Sequence, residues 1–223
     1  MAIALISSDK NFNANAISLG DTSGGNLIVG GFGVNSYSSA ITFSDSKSNT
    51  YSLLTLKTAA GATFPNACRM GYASDSPSVG ASHTVTINTA SYGGSQGGAA
   101  FSGVNGGFFA ETVASSLGTT VQPGSITPPE NGCLFVTIVG LVGTATPTID
   151  AGFTLLQYES TNEAFAIAYK ISNTAENPTW THTASTSTFG IPCAMACFRV
   201  TSPPAPIAIR RRLNQAVNRA SFY

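Results

Sequence analysis

The stretch Gly24-Gly25-Asn26-Leu27-Ile28-Val29-Gly30-Gly31 decides how this chain is organised. Its glycines and Asn26 favour a turn, and the apolar run that follows is typical of a buried β-strand. A near copy, Asn131-Gly132-Cys133-Leu134-Phe135-Val136, places Leu134 107 residues after Leu27. The two stretches predict equivalent strands in two similar halves of the chain.

Further matched positions occur in the same order in both halves. The offset between partners falls along the chain because the second half has shorter loops. The pairs are Asp45 with Asp150 (offset 105), Leu53-Leu54 with Leu155-Leu156 (102), Tyr72 with Tyr169 (97), and Phe101 with Phe198 (97). A fixed order with drifting loop length indicates a duplicated β unit. It predicts halves of about 1–110 and 111–202, which form either one sandwich or two.

The pattern through residue 202 predicts an all-β fold. Short apolar or alternating segments are separated by turn signals roughly every ten residues, and no segment has a convincing helical period. We therefore expect an antiparallel β-sandwich over residues 1–202. The local expectations are two short strands in 3–19 around a polar turn at 7–15, one strand at 50–56, and a flexible glycine-rich loop at 93–98.

Residues 203–223 differ in character from the body. Ser202-Pro203-Pro204-Ala205-Pro206 ends the sandwich, because proline cannot donate to a strand ladder. Residues 207–223 predict an anchor, possible as a short amphipathic helix, that folds on an acidic partner. The residues expected to bind that partner are Arg210, Arg211, Arg212, Leu213, Val217, Arg219, Phe222 and Tyr223. The four arginines have no acidic neighbour in the tail, whereas residues 1–202 carry a net charge of −4.

The chain contains little charge. Charged residues make up 9% of it, against about 25% in an ordinary soluble domain. Between Ser76 and Ile149 only Glu111 and Glu130 are charged. Either Ser, Thr and Asn keep this surface soluble, or an assembly covers much of it, so we expect a homo-oligomer.

The four cysteines, Cys68, Cys133, Cys193 and Cys197, all lie in apolar strand-like runs. They predict free, buried thiols, with Cys193 and Cys197 on one face of a strand. Residues 1–6 lack the basic region of a signal peptide, and no apolar run is long enough to span a bilayer. We expect neither membrane association nor a cofactor.

One motif resembles that of a hydrolase. Gly93-Gly94-Ser95-Gln96-Gly97 matches G-x-S-x-G, but a nucleophile elbow is followed by a helix, and here a strand is predicted. The two histidines, His83 and His182, stand at non-equivalent places beside predicted strands. Together with Cys193-x-x-x-Cys197 they do not have the spacing of a zinc site. We expect satisfied strand histidines and no enzymatic activity.

Asp45 and Asp150 precede turns at matching positions, which predicts structural Asx turns. A calcium site is the alternative, although each place offers only one carboxylate. Gly31 to Ser36 lacks the third glycine of a dinucleotide fingerprint. Three consecutive arginines without interleaved aromatics are a weak signal for nucleic acid, which is not expected as a partner.

Three segments together resemble a known module. Gly25-Asn26-Leu27-Ile28-Val29, Asp45 with its Asn49-Thr50-Tyr51 turn, and Phe101-Ser102-Gly103-Val104 resemble the duplicated jelly-roll-like β-sandwich of tailed-bacteriophage structural proteins, also seen in bacterial surface and secreted proteins. The resemblance covers roughly residues 20–200. It implies a jelly-roll-like fold and a virion or surface setting, and it brings no catalytic residues. The second half departs from the pattern at Phe198-Arg199-Val200.

The resemblance implies a structural component of a phage virion, such as a capsid decoration, head-fibre or tail-accessory protein. Its partners would be capsid, portal or tail subunits, bound through the C-terminal tail. The alternative is a carbohydrate-binding sandwich that attaches to a host or cell-surface glycan. Such a site presents exposed aromatic side chains, and the candidates are Trp180, Tyr37, Tyr92 and Phe108-Phe109.

Overall fold

The fold is taken from a computed structural model. It describes residues 2–12, 16–35, 41–59, 66–74, 77–89, 94–105, 107–141, 143–144, 146–150, 152–159, 164–183 and 190–200. The tail residues predicted to bind a partner, from Arg210 to Tyr223, lie outside these ranges. So do Tyr37 and Tyr92.

The described residues form strands and turns, which confirms the all-β prediction. The first half contains β1 (Ala4–Phe12), β2 (Ala16–Gly20), β3 (Leu27–Asn35), β4 (Thr42–Asp45), β5 (Ser52–Leu53), β6 (Lys57–Ala59), β7 (Asn66–Ala73), β8 (His83–Asn88) and β9 (Gly94–Ser102). The second contains β10 (Phe108–Ser116), β11 (Thr120–Val121), β12 (Cys133–Gly140), β13 (Pro147–Ile149), β14 (Thr154–Glu159), β15 (Phe165–Ser172), β16 (Trp180–His182) and β17 (Ile191–Phe198). Within these ranges no helix is long and apolar enough to cross a membrane.

Each half is a pair of antiparallel sheets with the same strand order. The first inner sheet runs β1-β9-β3-β7-β5, with β6 also on β7, and the first outer sheet runs β2-β8-β4. The second inner sheet runs β10-β17-β12-β15-β14, and the second outer sheet runs β11-β16-β13. When β6 is set aside, both halves pair their first strand with their eighth and their second with their seventh, which is a jelly-roll-like order, although the fifth strand pairs with the sixth in the inner sheet.

The strand register agrees with the alignment of the two halves. Leu27 pairs with Phe101, and the matched Leu134 pairs with Phe198. In the same way Val29 pairs with Tyr72, and Val136 pairs with Tyr169. The internal repeat visible in the sequence is therefore a repeat of strand pairing as well as of strand order.

The four sheets stack as four layers. The largest core lies between the two inner sheets and joins Leu27, Met70 and Phe101 of the first half to Ile138 and Phe165 of the second. Smaller cores lie between each inner sheet and its own outer sheet. The two jelly rolls therefore share their main core and form one body.

The halves meet through equivalent residues. A methyl group added at Gly33 would lie 2.7 Å from the Cα of Gly140, and one added at Gly140 would lie 3.2 Å from the Cα of Gly33. These glycines occupy the same position in β3 and β12, 107 residues apart. Contact between equivalent positions is the mark of a two-fold axis, so the halves pack like the subunits of a symmetric dimer.

The glycine-rich segment 94–98 was expected to be a flexible loop, and that expectation is wrong. It is the first part of β9, which lies between β1 and β3 and is almost wholly buried. An added methyl at Gly97 would lie 2.6 Å from the ring of Phe165 in the other half, and one at Gly94 would lie 2.5 Å from Val34. Gly97 therefore serves close packing between layers, and Gly94 serves close packing against the neighbouring strand β3, which local sequence does not reveal.

Two other local expectations also fail. β1 continues from Ala4 to Phe12, so residues 7–12 are strand and not turn, because they pair with the glycine-rich part of β9. The strand expected at 50–56 is reduced to the two residues of β5. After it, the backbone N–H and hydroxyl of Thr55 donate to the Glu111 carboxylate of the other half, at 3.0 and 2.7 Å.

Candidate functional site

The densest group of polar side chains in the described residues surrounds Asp45 at the end of β4. Its Oδ1 accepts backbone N–H groups from Lys47 at 2.9 Å and Asn49 at 3.0 Å. Its Oδ2 accepts the Asn49 amide at 2.7 Å, the Tyr51 hydroxyl at 2.9 Å and Nε2 of His83 at 3.0 Å. Five donors on one carboxylate confirm the predicted Asx turn and extend it to a larger network.

The network continues behind the imidazole. Nδ1 of His83 lies 2.8 Å from Oγ1 of Thr22. That hydroxyl also accepts the backbone N–H of Gly80 at 3.1 Å and lies 3.3 Å from the Gly80 carbonyl oxygen. The side chains of Asp45 and His83 are fully buried, and Thr22 is buried as well. The network thus ties together the turns that precede β3, follow β4 and precede β8.

Burial and hydrogen bonding act in opposite directions on Asp45. Burial alone would raise the pKa of this carboxyl, but the donors from Asn49, His83 and Tyr51 outweigh it and hold the pKa below its ordinary value. Burial, and then the Asp45 charge, raise the pKa of Tyr51 far above its ordinary value. Asp45 is therefore a stable anion, and Tyr51 remains a hydroxyl donor.

The order Asp45–His83–Thr22 has the outline of a catalytic triad, yet it differs in two ways. In a serine-protease triad the carboxylate holds Nδ1 and the nucleophile faces Nε2, and here these contacts are reversed. The Thr22 hydroxyl is also fully buried against the Gly80 backbone, so a substrate carbonyl has no approach to it. The geometry supports a structural network and no nucleophilic attack.

Calcium does not fit the carboxylate of Asp45. Calcium requires oxygen ligands with free lone pairs, whereas both oxygens here already face N–H and O–H donors. The matched Asp150 is exposed and accepts the backbone N–H of the distant Thr179 at 2.8 Å, so its described contacts do not include the Asx turn predicted there. No group of three or more His, Cys, Asp or Glu side chains with metal-binding geometry occurs in the part of the chain that the structure describes.

The residues of the hydrolase-like and nucleotide-like motifs lie in strands. Ser95 is buried within β9, paired with Gly33 and Phe12, and so does not occupy the sharp turn that a nucleophile requires. The segment from Gly31 to Asn35 is the second part of β3 and is followed by no described helix. Neither motif forms the site that its sequence pattern suggests.

His182, the histidine of the second half, has a poorer environment than His83. Its Nε2 lies 3.3 Å from the carbonyl oxygen of Gly118. Its Nδ1 is buried and has no hydrogen-bond partner among the described residues. The expectation of a satisfied strand histidine is therefore confirmed for His83 and only half met by His182.

Of the three described aromatic candidates for sugar stacking, one is enclosed and two are partly buried. Trp180 is 1% exposed, and its indole N–H donates to the Thr137 hydroxyl at 3.0 Å. Phe108 stacks on Tyr72 and packs against the central core. Trp180 is therefore a core residue and not a stacking platform. Phe109 is partly exposed, and the Arg199 guanidinium lies 5.0 Å from its ring centre.

All four cysteines are buried, free thiols, as predicted. Cys193 and Cys197 share one face of β17, which is turned toward the second outer sheet and its adjoining loops. Burial raises the pKa of Cys193 to about 12, and it raises the pKa of Cys68 well above its ordinary value. Nucleophilic thiolates are therefore not available at these positions near neutral pH.

The sequence indicated the parts of the Asp45 network but not their assembly. Asp45, Asn49 and Tyr51 stood out as one turn motif, and His83 as a strand residue. Thr22 carried no signal beyond its place before a glycine-rich turn. Only the pairing of β4 with β8 brings the turn and the histidine together.

No protein-family model, curated protein or solved structure matches the chain.

Proposed function

We propose that this chain is a structural component of a tailed-bacteriophage particle, in the role of a capsid decoration, head-fibre or tail-accessory protein. The observation that carries the proposal is the central core shared by the two jelly rolls. A shared core makes the two halves a single stiff body, which suits a part whose task is to be built into an assembly. The resemblance of the Asp45 turn and the flanking strands to phage structural modules supports the same role.

The polar groups that resemble catalytic sites also support a structural role. The Thr22–His83–Asp45 chain and Ser95 are all buried. The exposed residues on the outer sheets are largely uncharged hydroxyls, for example Thr42 and Ser44 on β4 and Thr181 on β16. A surface with so few charges has little electrostatic resistance to packing against other subunits.

In this proposal the C-terminal residues 207–223 attach the body to the particle. Arg210, Arg211 and Arg212 would meet an acidic surface, and Leu213 with Phe222 would bury apolar area. The partner is a capsid, portal or tail subunit, and the location is the virion. Because exposed charge pairs are screened by salt, attachment should weaken as ionic strength rises.

The test is incorporation into particles. Phage particles assembled with the full chain, with residues 207–223 deleted, or with Arg210, Arg211 and Arg212 all changed to Glu are purified, and copy number is measured by quantitative mass spectrometry. We expect normal copy number for the full chain, loss for the deletion and a salt-sensitive reduction for the charge reversal. Absence of the full chain from particles would refute the virion role, and normal incorporation of the deletion would refute the tail anchor alone.

A carbohydrate-binding role is the second candidate, and among the aromatic residues predicted above Phe109 is the described one that favours it. Its ring is partly exposed beside Arg199, a combination that can stack on a sugar face and donate hydrogen bonds to hydroxyls. A glycan array with the full chain tests this role. A signal that Phe109→Ala abolishes and Thr148→Ala leaves unchanged would favour it over the virion role.

A further inference from the structure

The two buried histidines have different capacities for a second proton. A charged imidazole needs an acceptor at each nitrogen and a nearby negative charge. His83 has Thr22 at one nitrogen and the Asp45 carboxylate at the other. His182 has the Gly118 carbonyl at Nε2, no described partner at Nδ1 and no described carboxylate among its hydrogen-bond contacts.

With a neutral imidazole, every group of the His83 network has a partner. Nε2–H donates to Asp45 at 3.0 Å, and the Thr22 hydroxyl donates to Nδ1 at 2.8 Å. The Gly80 backbone N–H donates to the hydroxyl oxygen at 3.1 Å. The ring is therefore held as the tautomer with its hydrogen on Nε2.

With a charged imidazole the same atoms again suffice. Nδ1–H then donates to the Thr22 oxygen, and the hydroxyl hydrogen rotates toward the Gly80 carbonyl oxygen, 3.3 Å away. That carbonyl already accepts the Thr22 backbone N–H at 3.1 Å and has a second lone pair. Asp45 balances the new charge. One hydroxyl rotation thus converts the network from one protonation state to the other.

The other titratable groups around the network do not compete for this proton. Tyr51 approaches Asp45 as a hydroxyl donor, and burial keeps its pKa high. The Lys47 ammonium lies outside the network, where it donates to the Ala81 carbonyl oxygen at 2.8 Å. Asp21 is at the surface, where its carboxylate accepts the backbone N–H of Ser23 at 2.9 Å.

We propose that Thr22, His83 and Asp45 form a proton-binding site that charges within the folded protein by rotation of the Thr22 hydroxyl. Proton uptake moves a hydrogen bond onto the Gly80 carbonyl, so the site couples solution pH to the segment 77–82, which contacts it through Gly80. Among the described residues of the second half no such site occurs, because His182 contacts neither a hydroxyl nor a carboxylate there. The inference does not depend on a virion role.

The test is an NMR titration of the full chain from about pH 8 to pH 5, the range in which an ordinary histidine charges. Imidazole nitrogens are assigned with His83→Gln and His182→Gln. We expect His83 to gain a proton on Nδ1 while the amide spectrum remains that of the folded protein. The carbonyl carbon of Gly80 should titrate with the same midpoint.

Two matched variants test the role of the hydroxyl. Thr22→Ser keeps it and should titrate like the natural chain. Thr22→Val keeps the shape but leaves Nδ1–H without an acceptor, so the His83 midpoint should fall by about one pH unit or more. If Thr22→Val does not fold, the Gly80 carbonyl titration in the natural chain decides alone. Three results would overturn the proposal. His83 could remain neutral in the folded protein, or the Gly80 carbonyl signal could fail to follow the His83 titration. The third result is an equal His83 midpoint in Thr22→Ser and Thr22→Val.

Discussion

An aspartate lies at the end of the fourth strand of the first half and just after that of the second, and the two copies have diverged. Asp45 is buried and accepts five hydrogen bonds, including one from His83. Asp150 is exposed and has a single described donor, the N–H of Thr179. The strand order around them is the same. A duplicated fold can therefore keep its topology while one copy loses the polar network that the other retains.

The second half has a different buried carboxylate instead. Glu176, between β15 and β16, accepts the Ser172 hydroxyl at 2.5 Å and the Lys170 ammonium at 2.9 Å. In the first half the connection between the equivalent strands, β7 and β8, contributes the Gly80 backbone to the Thr22 contact. Each half therefore has a buried carboxylate, but the Asp45 carboxylate faces a histidine and the Glu176 carboxylate faces a lysine.

The largest difference in stability between matched variants of the two halves is expected when each aspartate is replaced in turn. Asp45→Ala leaves His83, Tyr51 and the Asn49 amide without their acceptor in a buried site, so the free energy of unfolding should fall by about 3–5 kcal/mol. The matched Asp150→Ala removes an exposed acceptor and should cost about 1 kcal/mol or less. Urea unfolding at neutral pH, followed by circular dichroism, measures both. Equal losses would mean that the burial of Asp45 carries no special weight.

Acid should erase the contribution of Asp45. Its pKa is lowered in the folded state, so the ionised carboxylate stabilises the fold at every pH above its ordinary value. That contribution disappears as pH falls through the lowered value, below about pH 4. The difference in unfolding free energy between the natural chain and Asp45→Ala should therefore shrink as pH is reduced from 5 toward 2. A difference that widens in acid would contradict the direction of the shift.

The glycines at the two-fold axis should also respond unequally. Gly33→Ala drives a methyl group to 2.7 Å from the Gly140 backbone, where only movement of the two inner sheets can relieve the clash. We expect a loss of about 2–3 kcal/mol in the free energy of unfolding. Gly140→Ala meets its nearest atom at 3.2 Å and should cost less. Thermal unfolding of both variants shows which substitution lowers the free energy of unfolding more. A larger loss for Gly140→Ala would show that the inner sheets relax more easily around Gly33 than around Gly140.

Tyr51→Phe makes the first turn resemble the second, where Phe153 closes the equivalent turn. The change removes one hydroxyl donor from a buried carboxylate and keeps the ring contact with Phe43. The free energy of unfolding should fall by about 1–2 kcal/mol. Phe153→Tyr is the control. It should have little effect, because among the described residues no buried carboxylate comparable to Asp45 accepts a hydrogen bond in the second turn. If Tyr51→Phe leaves the free energy of unfolding unchanged, the other four donors are enough to satisfy the Asp45 carboxylate.

The smallest effect is expected at the backbone of the same turn. Ser48 has φ of +61°, a left-handed conformation that favours glycine, and the second turn has Gly152 with φ of +94°. Ser48→Gly should relieve strain but add entropy to the unfolded chain, for a net gain of at most about 1 kcal/mol. Ser46→Gly, in the same turn without a positive φ, should give no gain. Calorimetry distinguishes the two, and a loss at Ser48 would mean that its side chain is needed.

Features that depend on local pattern were predictable from the residues alone. Alternating and apolar runs predicted the strands, and the matched leucines and aromatics predicted the repeat. Asp45 followed by Asn49 and Tyr51 predicted the Asx turn. The errors occurred where contacts with residues far away in the sequence override the local conformational preference. Gly94 to Gly98 has the composition of a loop, yet it is a buried strand because it pairs with both β1 and β3, and at Gly97 the Phe165 ring occupies the space that a side chain would need.

The sequence by itself determined that this protein is an all-β duplication with buried thiols, because strand period, turn residues and matched positions act over short distances. Only the tertiary structure decided that the two halves share one core across Gly33 and Gly140, and that Thr22 and Asp45 meet at His83. Thr22 lies 61 residues from His83, and Asp45 lies 38 from it. Such contacts depend on which strands pair and which layers face each other. The pairing of strands and the stacking of layers are decided by the burial of all the apolar faces together. They cannot be read from any short segment of the sequence.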